Sequence, residues 1–247
     1  MKLWDNGGEK EDPMRRPVIG IPAKEREKSQ NDYWHRMEVV DDLRYLTVKY
    51  GGTAVMLLPG EVRTDFNKSD LSDPAVLSEE EKEILHQEAA LCDGILLQGG
   101  DYSNAYEVEI ARYALEKDLP VLGICAGFNN ILRALGSNIF EDETKAHSRY
   151  DIAYRHKIRV VEGTLLYDLV QSDTYEVNSF HTMVADEECV KGYARIDAYS
   201  DDGLVEAFDL EDHKFVLAVK WHPELMKEDR FTESLFRRFI EACSKGG

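Results

Sequence analysis

Val121-Leu122-Gly123-Ile124-Cys125-Ala126-Gly127 joins two sequence patterns. Residues 120–124 form a short, continuous apolar run that ends on a cysteine. Beyond it Phe128, Ile131, Leu132 and Leu135 recur at spacings of three and four, the period of a helix with one buried face. The cysteine therefore sits at a strand-to-helix junction inside G-x-C-x-G, the thiol counterpart of the serine nucleophile elbow. Its glycines permit a strained turn and a close approach of neighbouring backbone. The positive end of the following helix favours thiolate, the nucleophilic form of cysteine. Taken alone, the five residues also fit a buried cysteine that closes a core strand.

Working outward, the first half of the chain repeats the same alternation. Residues 17–22 read as a buried strand, and 34–50 as a helix through Met37, Val40, Leu43 and Tyr50, stopped by Gly51-Gly52. Residues 53–58 read as a second strand, and 60–77 as a polar loop long enough to cover a site. Ser78 with Glu81 fits a capping box opening a helix to about Leu91. A third strand at 94–98 closes on Gly99-Gly100, a helix follows at 105–117, and the fourth strand leads into Cys125. Apolar strands alternating with helices predict a parallel sheet covered on both faces. After about Ile139 the character changes. Residues 156–161, 175–180, 194–200, 204–210 and 215–221 read as strands, two pairs of them joined by hairpin turns, and 229–244 as a closing amphipathic helix. The expected architecture is flavodoxin-like, a three-layer α/β/α fold whose mainly parallel sheet gains antiparallel strands in the C-terminal half. Residues 1–15 read as a polar, mobile extension and 16–247 as one domain.

The 247 residues carry a formal net charge of -18 with no basic stripe, which argues against nucleic acid and anionic membrane surfaces as partners. No segment approaches the ~20 consecutive apolar residues of a membrane span. The N-terminal residues lack the apolar core of a signal peptide. Cys92, Cys125, Cys189 and Cys243 show neither C-x-x-C pairing nor zinc spacing, so the expected setting is a reducing cytoplasm with free thiols. Cys92 and Cys243 read as packing residues.

A cysteine nucleophile needs a base, and usually a group that orients the base. Trp221-His222-Pro223-Glu224 follows the last apolar strand. Pro223 holds His222 extended, and side chains two apart on an extended chain share a side. Glu224 can then take one ring nitrogen of His222 and leave the other for Cys125, the logic of a nucleophile–base–acid triad. Alone, the tetrapeptide equally fits a surface histidine beside an unrelated glutamate. His181, in Val177-Asn178-Ser179-Phe180-His181, reads as a site-lining or a loop residue. The amides of Ala126 and of Gly99 or Gly100 are candidate oxyanion donors. His147 and His156 stay unassigned. No two histidines have ligand spacing with a matching carboxylate, so no metal site is expected.

Together these segments resemble the class I glutamine amidotransferase superfamily, and within it the stand-alone γ-glutamyl hydrolases, the peptidase C26 or γ-glutamyl-γ-aminobutyrate hydrolase-like branch. The resemblance rests on residues 17–22, 94–101, 121–127, 177–181 and 221–224. It implies a Cys125–His222–Glu224 triad, an oxyanion glycine at Gly99 or Gly100, and substrate lining by Asn178, Ser179, Phe180 and His181. It also implies cleavage of a small γ-glutamyl amide through a thioester, without a cofactor. Within the same superfamily an ammonia-supplying glutaminase subunit is the alternative, and a non-catalytic binding module of the same fold is a third. A homodimer is compatible with all three. The chain departs from the branch pattern at Ala126, at Gly100–Asn104 and at Thr182-Met183, where leaving-group specificity is expected to differ.

Overall fold

In a computed structural model the structure describes residues 15–25, 33–34, 36–60, 77–100 and 104–244. Most of the expected N-terminal extension and of the 60–77 loop lies outside the described residues, as does Asp101–Ser103.

In chain order the first half comprises β1 (Val18–Pro22), β2 (Lys24–Glu25), β3 (Met37–Glu38), α1 (Asp41–Lys49), β4 (Thr53–Leu57), α2 (Glu79–Ala89), β5 (Gly94–Leu97), α3 (Ala105–Glu116), β6 (Val121–Ile124) and α4 (Ala126–Ala134). The second half comprises β7 (Phe140–Glu141), β8 (His156–Val160), α5 (Leu165–Val170), β9 (Thr174–Val177), β10 (Met183–Val184), α6 (Glu187–Val190), β11 (Arg195–Ser200), β12 (Val205–Asp209), β13 (Val216–Val219), a 3-10 turn at Pro223–Leu225, and α7 (Arg230–Ser244). Nine strands form one sheet in the order β4-β1-β5-β6-β13-β12-β11-β8-β9. The first five run parallel, and every pairing from β13 outward to β9 is antiparallel. The expected parallel core with added antiparallel strands is the observed one.

Strand side chains alternate between two apolar clusters. Ile19, Ile21, Leu96, Leu122, Ile124, Leu217 and Val219 face one cluster, with α1, α5 and α7 over it. Ile95, Leu97, Val121, Val216 and Ala218 face the other, under α2, α3, α4 and α6. Because both faces are covered, the central strands are apolar without interruption, the pattern legible at residues 94–98 and 120–124.

The sequence expectation fails in detail at residues 34–50. Met37–Glu38 pairs antiparallel with Lys24–Glu25, and the helix begins only at Asp41. The β-branched pair Val39-Val40 is stiff in a helix, whereas Asp41 and Asp42 suit the positive first turn. The strand at 53–57 is also less buried than expected: it is the outer strand, and Val55 and Met56 are exposed. The capping box of α2 forms as predicted, Ser78 and Glu81 each accepting the other's backbone amide.

Candidate active site

Three parallel strands end side by side: β5 at Gln98-Gly99-Gly100, β6 at Cys125 and β13 at Lys220-Trp221-His222. Ile124 pairs with Val219 and Gly123 with Leu97, so these residues converge at the carboxyl edge of the sheet, where open α/β folds bind ligands.

Cys125 adopts φ 51°, ψ -100°, between the last residue of β6 and the first of α4. Its amide donates to Val219 O at 2.8 Å, tying the elbow to β13. The glycines serve close approach rather than flexibility. A Cβ on Gly127 would stand 2.2 Å from Leu97 O, and one on Gly123 would stand 2.6 Å from Ile131 Cδ1. A Cβ on Gly99 would stand 2.5 Å from His222 Cε1 and 3.4 Å from Cys125 Cβ, so Gly99 is what lets the imidazole lie against the cysteine. Gly100 turns away at φ 148° beneath the Lys24 side chain. Ala126 opens α4, so its amide has no acceptor within the helix.

The His222 ring lies beside Cys125, near enough for each charge to act on the other. His222 Nδ1 donates to Glu224 Oε1 at 2.7 Å, and Glu224 is buried. Burial opposes a thiolate at Cys125. The neighbouring His222 charge, its hydrogen bond and the Lys220 ammonium outweigh that effect and hold the thiol below its ordinary value. Burial likewise opposes charge on His222, but Glu224 and Cys125 outweigh it and raise the imidazole well above its usual range. The pair therefore favours thiolate and imidazolium. The other cysteines are shifted the opposite way: burial pushes Cys92 up to about 11 and raises Cys189 and Cys243.

Of the expected lining residues, Asn178, Ser179 and His181 are buried and turned to protein partners. Asn178 clamps the His222 backbone, accepting from its amide at 2.9 Å and donating to its carbonyl at 2.8 Å. Ser179 Oγ donates to His147 O at 2.7 Å. His181 stacks on His147. Phe180 alone keeps a partly exposed side chain, edge-on to the His222 ring at 5.7 Å. The segment supports the site more through Asn178 than by four lining side chains.

Two features escaped the sequence reading. Lys220 is fully buried at the end of β13, its Nζ donating to Asn129 Oδ1 at 2.9 Å and lying over the Phe128 ring; burial lowers it to about 8. A lysine inside the otherwise apolar run at 215–221 was the available signal. The other is a cluster of His147, His156 and Glu206, whose ligand-type atoms lie within 4.8 Å of one another. The expectation of no metal site rested on spacing along the chain, whereas the fold brings these three residues together from separate segments.

The family described as Peptidase C26 matches residues 17–224. A gamma-glutamyl-gamma-aminobutyrate hydrolase of Escherichia coli strain K12 is 31% identical over 198 residues, covering 66% of this chain and 76% of that protein. Among solved structures, the glutaminase domain of Trypanosoma brucei CTPS with bound acivicin superposes at TM-score 0.60 and 17% identity, covering 94% of this chain and 95% of that one. A glutamine amidotransferase from Thermotoga maritima superposes at 0.59 and 13% identity, covering 94% and 100%. These two likenesses establish the shared fold.

Proposed function

The chain belongs to the peptidase C26 family of glutamine amidotransferase-like hydrolases, and from that premise we propose that it cleaves the γ-glutamyl amide bond of a small molecule through Cys125, His222 and Glu224. The observation that carries the proposal is the elbow cysteine beside a histidine whose Nδ1 stands 2.7 Å from a buried glutamate. The similarity to gamma-glutamyl-gamma-aminobutyrate hydrolase supports the substrate class.

In this reading the Cys125 thiolate attacks the γ-carbonyl carbon. Negative charge develops on the carbonyl oxygen and is met by the amides of Ala126 and of Gly99 or Gly100. As the carbon–nitrogen bond breaks, His222 gives its proton to the departing amine, leaving a γ-glutamyl thioester on Cys125. Water then attacks the thioester, His222 takes a proton from it, and glutamate leaves as the thiolate is restored. Glu224 fixes the ring and stabilises its charge. Phe180 flanks the glutamyl portion at the mouth.

Steady-state turnover of the purified chain on γ-glutamyl-γ-aminobutyrate, other γ-glutamyl amides and glutamine tests the reading. Amine release from a γ-glutamyl amide by the chain alone is expected. Hydrolysis of glutamine only, appearing when a second protein is added, would instead make the chain the ammonia-supplying subunit of a synthetase.

A further inference from the structure

Glu206 lies on β12, on the antiparallel side of β13, with a fully buried side chain. Neither of its oxygens has a hydrogen-bond partner among the described residues. Three imidazoles surround it. His147 Nδ1 is 3.4 Å, His181 Nε2 3.6 Å and His156 Nε2 3.9 Å from Oε1. His156 Nε2 and both ring nitrogens of His181 likewise lack hydrogen-bond partners. A buried carboxylate without a hydrogen-bond donor is costly, so its surroundings should supply a partner. The nearby Lys220 is engaged with Asn129.

The spacings identify the missing partner. Hydrogen bonds would draw these atoms to about 2.7–3.2 Å. Two ligand atoms each about 2.1 Å from a tetrahedral ion stand about 3.4 Å apart. All three carboxylate-to-imidazole distances lie beyond the hydrogen-bonding range, and that of His147 equals the second value. The rear of His147 agrees. Its Nε2 faces Asp202 Oδ2 at 3.0 Å, and Asp202 is itself held by Ser200 Oγ. A carboxylate on the far nitrogen is how ligating histidines are usually oriented and made more basic.

We propose that His147 Nδ1, His156 Nε2 and Glu206 bind a divalent first-row metal ion of the zinc type, with His181, the third imidazole, beside them. Imidazole and carboxylate donors suit such an ion, whereas an all-oxygen shell would suit magnesium or calcium. The ion would fasten three separate pieces of chain: the segment between β7 and β8, the start of β8, and β12. Ser179 bonds to the His147 backbone, and its neighbour Asn178 clamps His222. The site is thus a structural fastening behind the Cys125–His222 pair, and it stands whether or not the proposed hydrolysis does.

The test uses the full chain carrying Cys125→Ser, which removes the competing thiolate, purified without a metal-binding tag and stripped with a chelator. Titration with Co2+ and with Zn2+ is expected to reach one equivalent per chain. Co2+ should give visible ligand-field absorption without thiolate charge transfer, and excess Zn2+ should raise Tm. His156→Gln should weaken Zn2+ binding by at least 100-fold, and Asp202→Asn by about tenfold. Should His156→Gln fail to fold, the parent titration and Asp202→Asn decide. A parent chain that shows neither absorption nor a Tm rise would overturn the proposal, as would binding that is unchanged in Asp202→Asn and in any folded His156→Gln.

Discussion

Cys125 holds a left-handed backbone that a side-chain-bearing residue adopts only under constraint, at a typical cost of about 1–3 kcal/mol. The constraint is visible on both sides: its amide is fixed to Val219, and Gly123 and Gly127 are pressed against Ile131 and Leu97. The conformation sets the thiol beside His222, and the electrostatics follow from that contact. An ordinary thiol loses thiolate tenfold for each pH unit below its pKa. Cys125 is lowered, so its alkylation by iodoacetamide should persist at neutral pH while Cys92, Cys189 and Cys243, all raised, lag behind. His222→Ala removes the attraction of the imidazolium and leaves burial and the Glu224 charge opposed by Lys220 alone. The pH of half-maximal labelling should then move upward and the neutral-pH rate fall at least tenfold. Mass mapping of the labelled cysteines against pH checks both. Cys125, His222 and Glu224 were legible in the sequence because an elbow and an extended His-Pro-Glu each carry a local signature. Glu206 was not, because its surroundings are assembled from residues up to 59 positions away in the chain.

At the scale of elements, the loop after β9 matters through what it grips. Asn178 makes two hydrogen bonds to the backbone of His222, 44 residues on, and so sets where that imidazole sits at the end of β13. Asn178→Ala should lower stability by roughly 1–3 kcal/mol. It should also depress kcat more than it raises KM, since the base is displaced while Phe180 stays. Denaturant unfolding and steady-state kinetics on the same preparation separate the two effects. An unchanged kcat would show that His222 is held by other means. Long elements with clear periods, such as α7 and the central strands, were readable from residue patterns alone. The short helices α5 and α6 were not, because six and four residues are too few to show a period. Residues 34–50 misled for a different reason: apolar spacing continued across a stretch whose first part pairs with Lys24–Glu25.

On the scale of the whole molecule, the buried carboxyl of Asp197 links stability to pH. Asp197 and Asp209 receive the first amides of α5, from Leu166 and Leu165, and Arg195 pairs with Asp209 and with Glu211. Burial and the adjacent Asp209 charge push Asp197 up to about 8. The folded chain therefore keeps a proton there that the unfolded chain gives up in the ordinary carboxylate range. Between that range and about pH 8 the native state binds more protons, so this residue's contribution falls as pH rises and levels off above. Asp197→Asn should flatten that part of the profile, seen as a Tm that changes less between pH 5 and 8 than in the parent chain. An identical pH dependence in the variant would assign the profile to other groups. The three-layer plan, the parallel core and its antiparallel extension were legible from strand composition, because fully buried strands read as unbroken apolar runs. Which strands neighbour one another was not, since β1 lies between β4 and β5 and β13 between β6 and β12. That arrangement places Gly99, Cys125 and His222 together, where the proposed hydrolysis makes Cys125 the covalent nucleophile. The most direct measurement is intact-protein and peptide mass spectrometry of the chain quenched in acid during turnover of γ-glutamyl-γ-aminobutyrate. The expected result is a γ-glutamyl adduct on Cys125 that forms as the amine is released, decays with hydrolysis, and is absent in His222→Ala. Amine release with no adduct on Cys125, or an adduct on another residue, would contradict it.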